Sequence, residues 1–141
     1  MSKLVATIIV TITALVSQAA DGPYMPTDAE RARWTLQDMR SWKIALGAYN
    51  IDNKSYPAAS SLKEAAAAVQ GKYINSVPMH DAWGNPYVYE RTEGGFRIVS
   101  SGADGRFERN SWDTAGQLES LDADAVITNE GKFWLRSWKF R

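Results

Sequence analysis

The 141-residue chain carries sixteen basic and sixteen acidic residues, one histidine and no cysteine. That balance leaves no global field to draw it to nucleic acid, and the missing thiols exclude thiolate catalysis, thiolate zinc sites and disulfide stapling. An apolar content of 45%, with six Trp and six Tyr, is enough for one domain with a real core.

In chain order, residues 1–19 come first. One early lysine, Lys3, precedes an apolar run from Leu4 to Val16, and small residues follow at Ser17 and Ala19 in the spacing a signal peptidase reads. The pattern predicts a cleaved secretory signal over 1–19 and an exported domain over 20–141. A retained membrane anchor is the other reading, for which the run falls short of the roughly 20 apolar residues that span a bilayer core.

Thr27, with Glu30 three positions on, has the form of a capping box and predicts the start of a long helix. Leu36, Met39, Trp42, Leu46 and Tyr49 recur at intervals of three and four, so the helix is expected to be amphipathic, with Leu36, Met39 and Leu46 buried. Asn50 to Asn53 and then Pro57 predict its end. A second, shorter helix is expected in SSLKEAAAAVQGK, capped by Ser60 or Ser61 and stopped at Gly71. Lone His80, in the loop that follows, reads as a surface or packing residue.

Trp83-Gly84-Asn85-Pro86 introduces the first strand through a tight turn. Strands are expected over Tyr87–Arg91 and Phe96–Ser100 around a Glu93-Gly94-Gly95 turn, and one or two more after the loop, about Asn129-Glu130-Gly131. Trp83, Tyr87 and Tyr89 read as sheet and turn packing. The order of elements is α+β, one helix laid against a small antiparallel sheet.

Between the strands lies a puzzle. From Val99 to Val126 the chain gathers six carboxylates and two arginines with no apolar period. A loop beyond about 12 to 15 residues in a compact domain is usually functional or disordered. Two readings stand: an acidic loop held by Arg106 and Arg109, or a loop organised by a cation. The alternating ligands and closing glutamate of an EF-hand are missing, and nothing in the sequence sets two carboxylates across a sugar-sized cleft.

LGAYNIDNKSYPA at the helix exit, VPMHDAWGNPYVYE into the first strand, FRIVSSGADG at the end of the second and LDADAVITN after the loop resemble, in the same order, the landmarks of the major pseudopilin of type II secretion systems. The resemblance runs from Ala29 to Asn129. It implies a periplasmic fibre subunit without enzymatic activity, anchored in the membrane before assembly and holding calcium in the loop before the last strand. Carried over by position, it implicates the Ser101 carbonyl and Asp104 of S-G-A-D-G, with Asp122 and Asp124 of D-A-D. Calcium takes about six to eight oxygen ligands from carboxylates, carbonyls and water, so the residue types agree.

Two features depart from the family. The N-terminus lacks the glycine-phenylalanine-glutamate start of prepilins, and seventeen residues, Trp112 among them, separate Asp104 from Asp122. The C-terminal KFWLRSWKFR alternates cations with aromatics; Phe133 and Leu135 are expected on the core side of a final strand, Trp138 and Phe140 at a protein interface.

The expectation is thus a non-enzymatic assembly protein related to the type II secretion pseudopilus, stabilised by Ca2+. Its partners would be other protein subunits, secretion-system pseudopilins or its own copies, with no nucleic acid, and membrane only if residues 1–19 are retained. It would be periplasmic or secreted, or anchored in the inner membrane facing the periplasm. The alternative is a free periplasmic or secreted partner-binding module that reuses the fold.

Overall fold

The computed structural model describes residues 22–113 and 120–130. The expected signal segment, residues 1–19, and the aromatic C-terminus, residues 132–141, lie outside the described residues.

Helix α1 (Asp28–Asn53) begins as its capping box dictates. Thr27 Oγ1 accepts from the Glu30 amide at 3.3 Å, and Glu30 Oε2 accepts from the Thr27 amide at 2.8 Å, so two otherwise orphaned donors are satisfied reciprocally. The Tyr24 hydroxyl also donates to the Glu30 carboxylate. At the far end Lys54 turns left-handed (φ 57°) and donates its amide to the Asn50 carbonyl at 2.8 Å.

The buried face of α1 runs through Ala32, Thr35, Met39, Trp42, Ala45 and Leu46. Met39, Trp42 and Leu46 are inaccessible to solvent, as the spacing predicts. Leu36 and Tyr49 flank this stripe and are only partly buried. Thr35 Oγ1 accepts from the Ala82 amide at 3.1 Å, and Trp42 Nε1 donates to the Pro78 carbonyl at 2.7 Å, so α1 is tied to the segment before the sheet.

Helix α2 (Leu62–Val69) is capped by Ser61, whose Oγ accepts from the Glu64 amide at 3.2 Å. Ser60 instead donates from its amide and hydroxyl to Glu64 Oε2. Ala65, Ala66 and Val69 face the core. His80 is exposed, as expected.

The sheet is antiparallel in the order β1 (Val88–Thr92), β2 (Gly95–Ser100), β3 (Ala125–Thr128). The turn is tighter than its composition suggests: Gly95 pairs with Thr92, leaving Glu93 and Gly94 as a two-residue loop with Gly94 at φ 74°. Positive φ at that place is where glycine is needed. Phe96, Ile98, Ala125 and Ile127 alternate onto the face that meets α1 and α2, joined by Tyr87 and Tyr89. Val88, Val99 and Val126 face the other way and pack beneath Trp112. The molecule is α+β, a long helix on a small antiparallel sheet, as the order of its elements predicts.

Candidate functional site

The loop between β2 and β3 is anchored by the carboxylate of Asp81, which lies just ahead of the Trp83–Pro86 turn. Asp81 Oδ1 accepts from the amides of Trp83 and Asn85 at 3.0 and 2.9 Å, which closes the DAWGN turn on itself. Its Oδ2 accepts from Ser100 Oγ at 2.7 Å, and Ser100 Oγ in turn accepts from the Gly102 amide at 3.2 Å. Asn85 Nδ2 donates to the Gly102 carbonyl at 3.3 Å. The turn before β1 thus holds the Gly102 carbonyl directly through Asn85 and the Gly102 amide indirectly, through the Ser100 hydroxyl that Asp81 accepts from. The signal was legible as an aspartate two and four residues ahead of the amides it caps, but its reach to Ser100 is not local in sequence.

Gly102 is held at φ 69° against the opposite end of the loop. A Cβ placed there would lie 2.7, 2.9 and 2.8 Å from the carbonyl oxygens of Leu121, Asp122 and Ala123, so three main-chain oxygens converge on one point. The Ala103 amide donates to the Leu121 carbonyl at 2.9 Å and ties the two ends together.

The four residues implicated in metal binding fall in two environments. Ser101 is fully buried and Asp124 is 2% exposed; among the described residues neither the Ser101 hydroxyl nor Asp124 Oδ1 has a hydrogen-bond partner. Asp104 and Asp122 are exposed. Asp104 Oδ1 accepts from the Arg106 amide at 2.8 Å, while the Asp122 amide donates to Ser120 Oγ at 3.1 Å. Among the described residues no three acidic, histidine or cysteine side chains gather as a metal-holding group. Asp124 is buried, and the carbonyls of the turn just before it converge on Gly102.

Asp124 Oδ2 accepts from the Glu108 amide at 2.7 Å and from Trp112 Nε1 at 2.5 Å. Burial raises the pKa of this carboxyl above the usual range; the two N–H donors oppose the rise, and the nearby Glu108 and Asp104 carboxylates add to it.

Outside the sheet lies a cluster of paired charges whose members are distant along the chain. Glu90 and Arg97 are cross-strand partners and pair at 2.7 Å. Arg109 adds a contact to Glu90 at 2.9 Å, and Arg97 reaches Asp113 at 2.7 Å. The two guanidinium groups lie 5.1 and 4.7 Å from the Trp112 ring centroid, within cation–π range. Arg109 therefore does hold the loop, as the plainer acidic-loop reading expects. Arg106 takes part through its main-chain amide, which donates to Asp104.

A family model described as type II secretion system (T2SS), protein G, matches residues 25–115. The chain belongs to this family of G-type pseudopilins. The type II secretion system core protein G of Pseudomonas aeruginosa is 29% identical over 118 residues, which cover 73% of this chain and 82% of that protein. The match to the protein G family model takes in the helix, the hairpin, Ser101 and Asp104, and ends before Asp122 and Asp124. Among the described residues no helix of this family member is long and apolar enough to cross a membrane.

Proposed function

We propose that the chain is a non-enzymatic assembly subunit related to the type II secretion pseudopilus, exported across the inner membrane, whose loop between β2 and β3 is closed by a calcium ion. The observation that carries the calcium reading is the buried Asp124 carboxylate, one oxygen of which has no partner among the described residues. A buried ionised oxygen without a partner is costly, and a cation offsets that cost where a hydrogen-bond donor is lacking. The converging carbonyls of residues 121–123, held against Gly102, supply the neutral oxygens that such an ion prefers.

In this proposal Asp124 is the buried ligand, while Asp104 and Asp122 complete the shell from the exposed side, and the Ser101 carbonyl contributes from the β2 end. Bound calcium supplies positive charge and an oxygen-seeking coordination shell. The residues themselves set the loop: Asp81 and Asn85 fix one end, and the turn before β3 fixes the other.

Assembly is assigned to the outward face of α1, where Ile44 and Ile51 are 72% and 70% exposed and Trp34 is 44% exposed. Large apolar side chains left open on one helix suit contact with another pseudopilin subunit. Residues 1–19 are assigned as a signal peptide; an intact mass that starts near Ala20 supports this, and one that starts at Met1 or Ser2 overturns it in favour of an anchor.

Thermal melts test the calcium assignment. The melting temperature should rise at millimolar calcium, rise much less with magnesium, and lose its calcium response in Asp124→Asn. A hundredfold excess over the dissociation constant corresponds to about 2.7 kcal/mol of added stability. A metal-free protein whose melting temperature ignores calcium leaves only an acidic loop held by its own hydrogen bonds.

A further inference from the structure

Trp112 sits in the stretch that separates Asp104 from Asp122, yet it is 2% exposed and its indole N–H is aimed at Asp124. An indole nitrogen is a donor only: it cannot ligate a cation and has no other use for a carboxylate than to donate to it. Together with the Glu108 amide it places two N–H groups on Oδ2, and among the described residues none reaches Oδ1. Both oxygens belong to one buried group, and they are treated differently.

We propose that Trp112 is a positioning residue for Asp124, fixing the carboxylate so that Oδ2 is committed to the loop and Oδ1 is presented to a divalent cation. The inference rests on the calcium assignment above and deepens it. Groups that ligate metals are commonly oriented by hydrogen bonds from an outer ring of residues, and removing such a partner typically weakens metal affinity about 10- to 100-fold.

The ring is placed by contacts that do not depend on its N–H. Val99 and Val126 lie beneath it, Arg97 and Arg109 are within cation–π range, and Phe107 meets it edge-on with centroids 5.8 Å apart. The arginines are in turn held by Glu90 and Asp113. Packing and hydrogen bonding are therefore separable at this position. Phenylalanine keeps an aromatic ring among the same neighbours and removes the donor, although the ring is smaller than indole.

The test is a calcium titration of the mature wild-type chain and of Trp112→Phe by calorimetry, beside melts in chelator. The expected result is a calcium dissociation constant raised about tenfold or more in Trp112→Phe. Equal or tighter binding by the variant, with the wild type binding calcium, overturns the inference and leaves the calcium assignment standing. A wild type that binds no calcium overturns both. A second measurement serves if Trp112→Phe fails to fold: the Trp112 indole proton of the wild type, followed by NMR through the titration. Positioning requires that it stay hydrogen-bonded and protected in the calcium-saturated protein. A resonance that moves to the free-indole position and exchanges with water on calcium addition would show the cation displacing Trp112, the opposite relationship.

Discussion

Asp81 and Ser100, nineteen residues apart, share a buried hydrogen bond of 2.7 Å that joins the turn before β1 to the first residues of the acidic loop. Asp81 is the acceptor for three donors at once, the Trp83 and Asn85 amides and the Ser100 hydroxyl. Asp81→Ala strands all of them. Each buried donor left unpaired costs about 1 to 3 kcal/mol, so urea unfolding should show a loss of roughly 3 kcal/mol or more. Ser100→Ala removes one of the three and should lose clearly less. Similar losses for the two variants would mean that the turn is held by its own main chain and the carboxylate is incidental.

Gly102 and Gly94 both adopt positive φ, at 69° and 74°, but in different surroundings. Among the described residues an alanine Cβ at Gly94 meets nothing within 4 Å, whereas at Gly102 it meets three carbonyl oxygens under 3.0 Å. Gly94→Ala should therefore cost only the left-handed backbone term of about 1 to 2 kcal/mol. Gly102→Ala should cost that and the collision, and should abolish any calcium response by pushing the turn at 121–123 away. Equal melting temperatures for the two alanine variants would contradict the close approach.

On α1, Leu46 is fully buried and Ile44, two positions away, is 72% exposed. Leu46→Ala should destabilise the isolated domain by about 2 to 5 kcal/mol. Ile44→Ala should change stability by no more than about 0.5 kcal/mol, and Ile44→Asp should instead reduce cross-linking to a pseudopilin partner. Stability that depends on Ile44 as strongly as on Leu46 would place part of the core on the wrong side of the helix.

Tyr89 donates to the Pro57 carbonyl at 2.8 Å, and burial pushes its hydroxyl up to about 12. Burial likewise raises Tyr87, with the Asp38 and Asp81 carboxylates adding to the shift. A phenol with a folded pKa above its unfolded value contributes stability that is fully present below the unfolded pKa, near 10, and lost as pH rises through the folded one. Stability should fall between pH 10 and about 12, and Tyr89→Phe should flatten that fall. An alkaline limb unchanged in Tyr89→Phe would assign the loss to other groups.

Much of the fold was written locally. The Thr27–Glu30 capping box, the spacing of Met39, Trp42 and Leu46, and the period-2 strands around Gly94 act over one turn or one residue pair, so the sequence alone determined α1, α2 and the hairpin. It also carried the family landmarks that the comparison with protein G supports. Tertiary structure decided the rest because the partners are distant along the chain. Thr35 replaced Leu36 in the buried stripe because Ala82 and Tyr87 bring donors to its hydroxyl and carbonyl across the fold. Asp81 became the anchor of the loop only where Ser100 closed on it. The four implicated ligands divide into a buried pair, Ser101 and Asp124, and an exposed pair, Asp104 and Asp122, since burial depends on what packs above each residue and not on its type. No local pattern could have shown that Trp112, from the middle of the stretch between Asp104 and Asp122, would cover the outer face of the sheet and turn its N–H toward Asp124, because that contact depends on the loop closing back over β2 and β3.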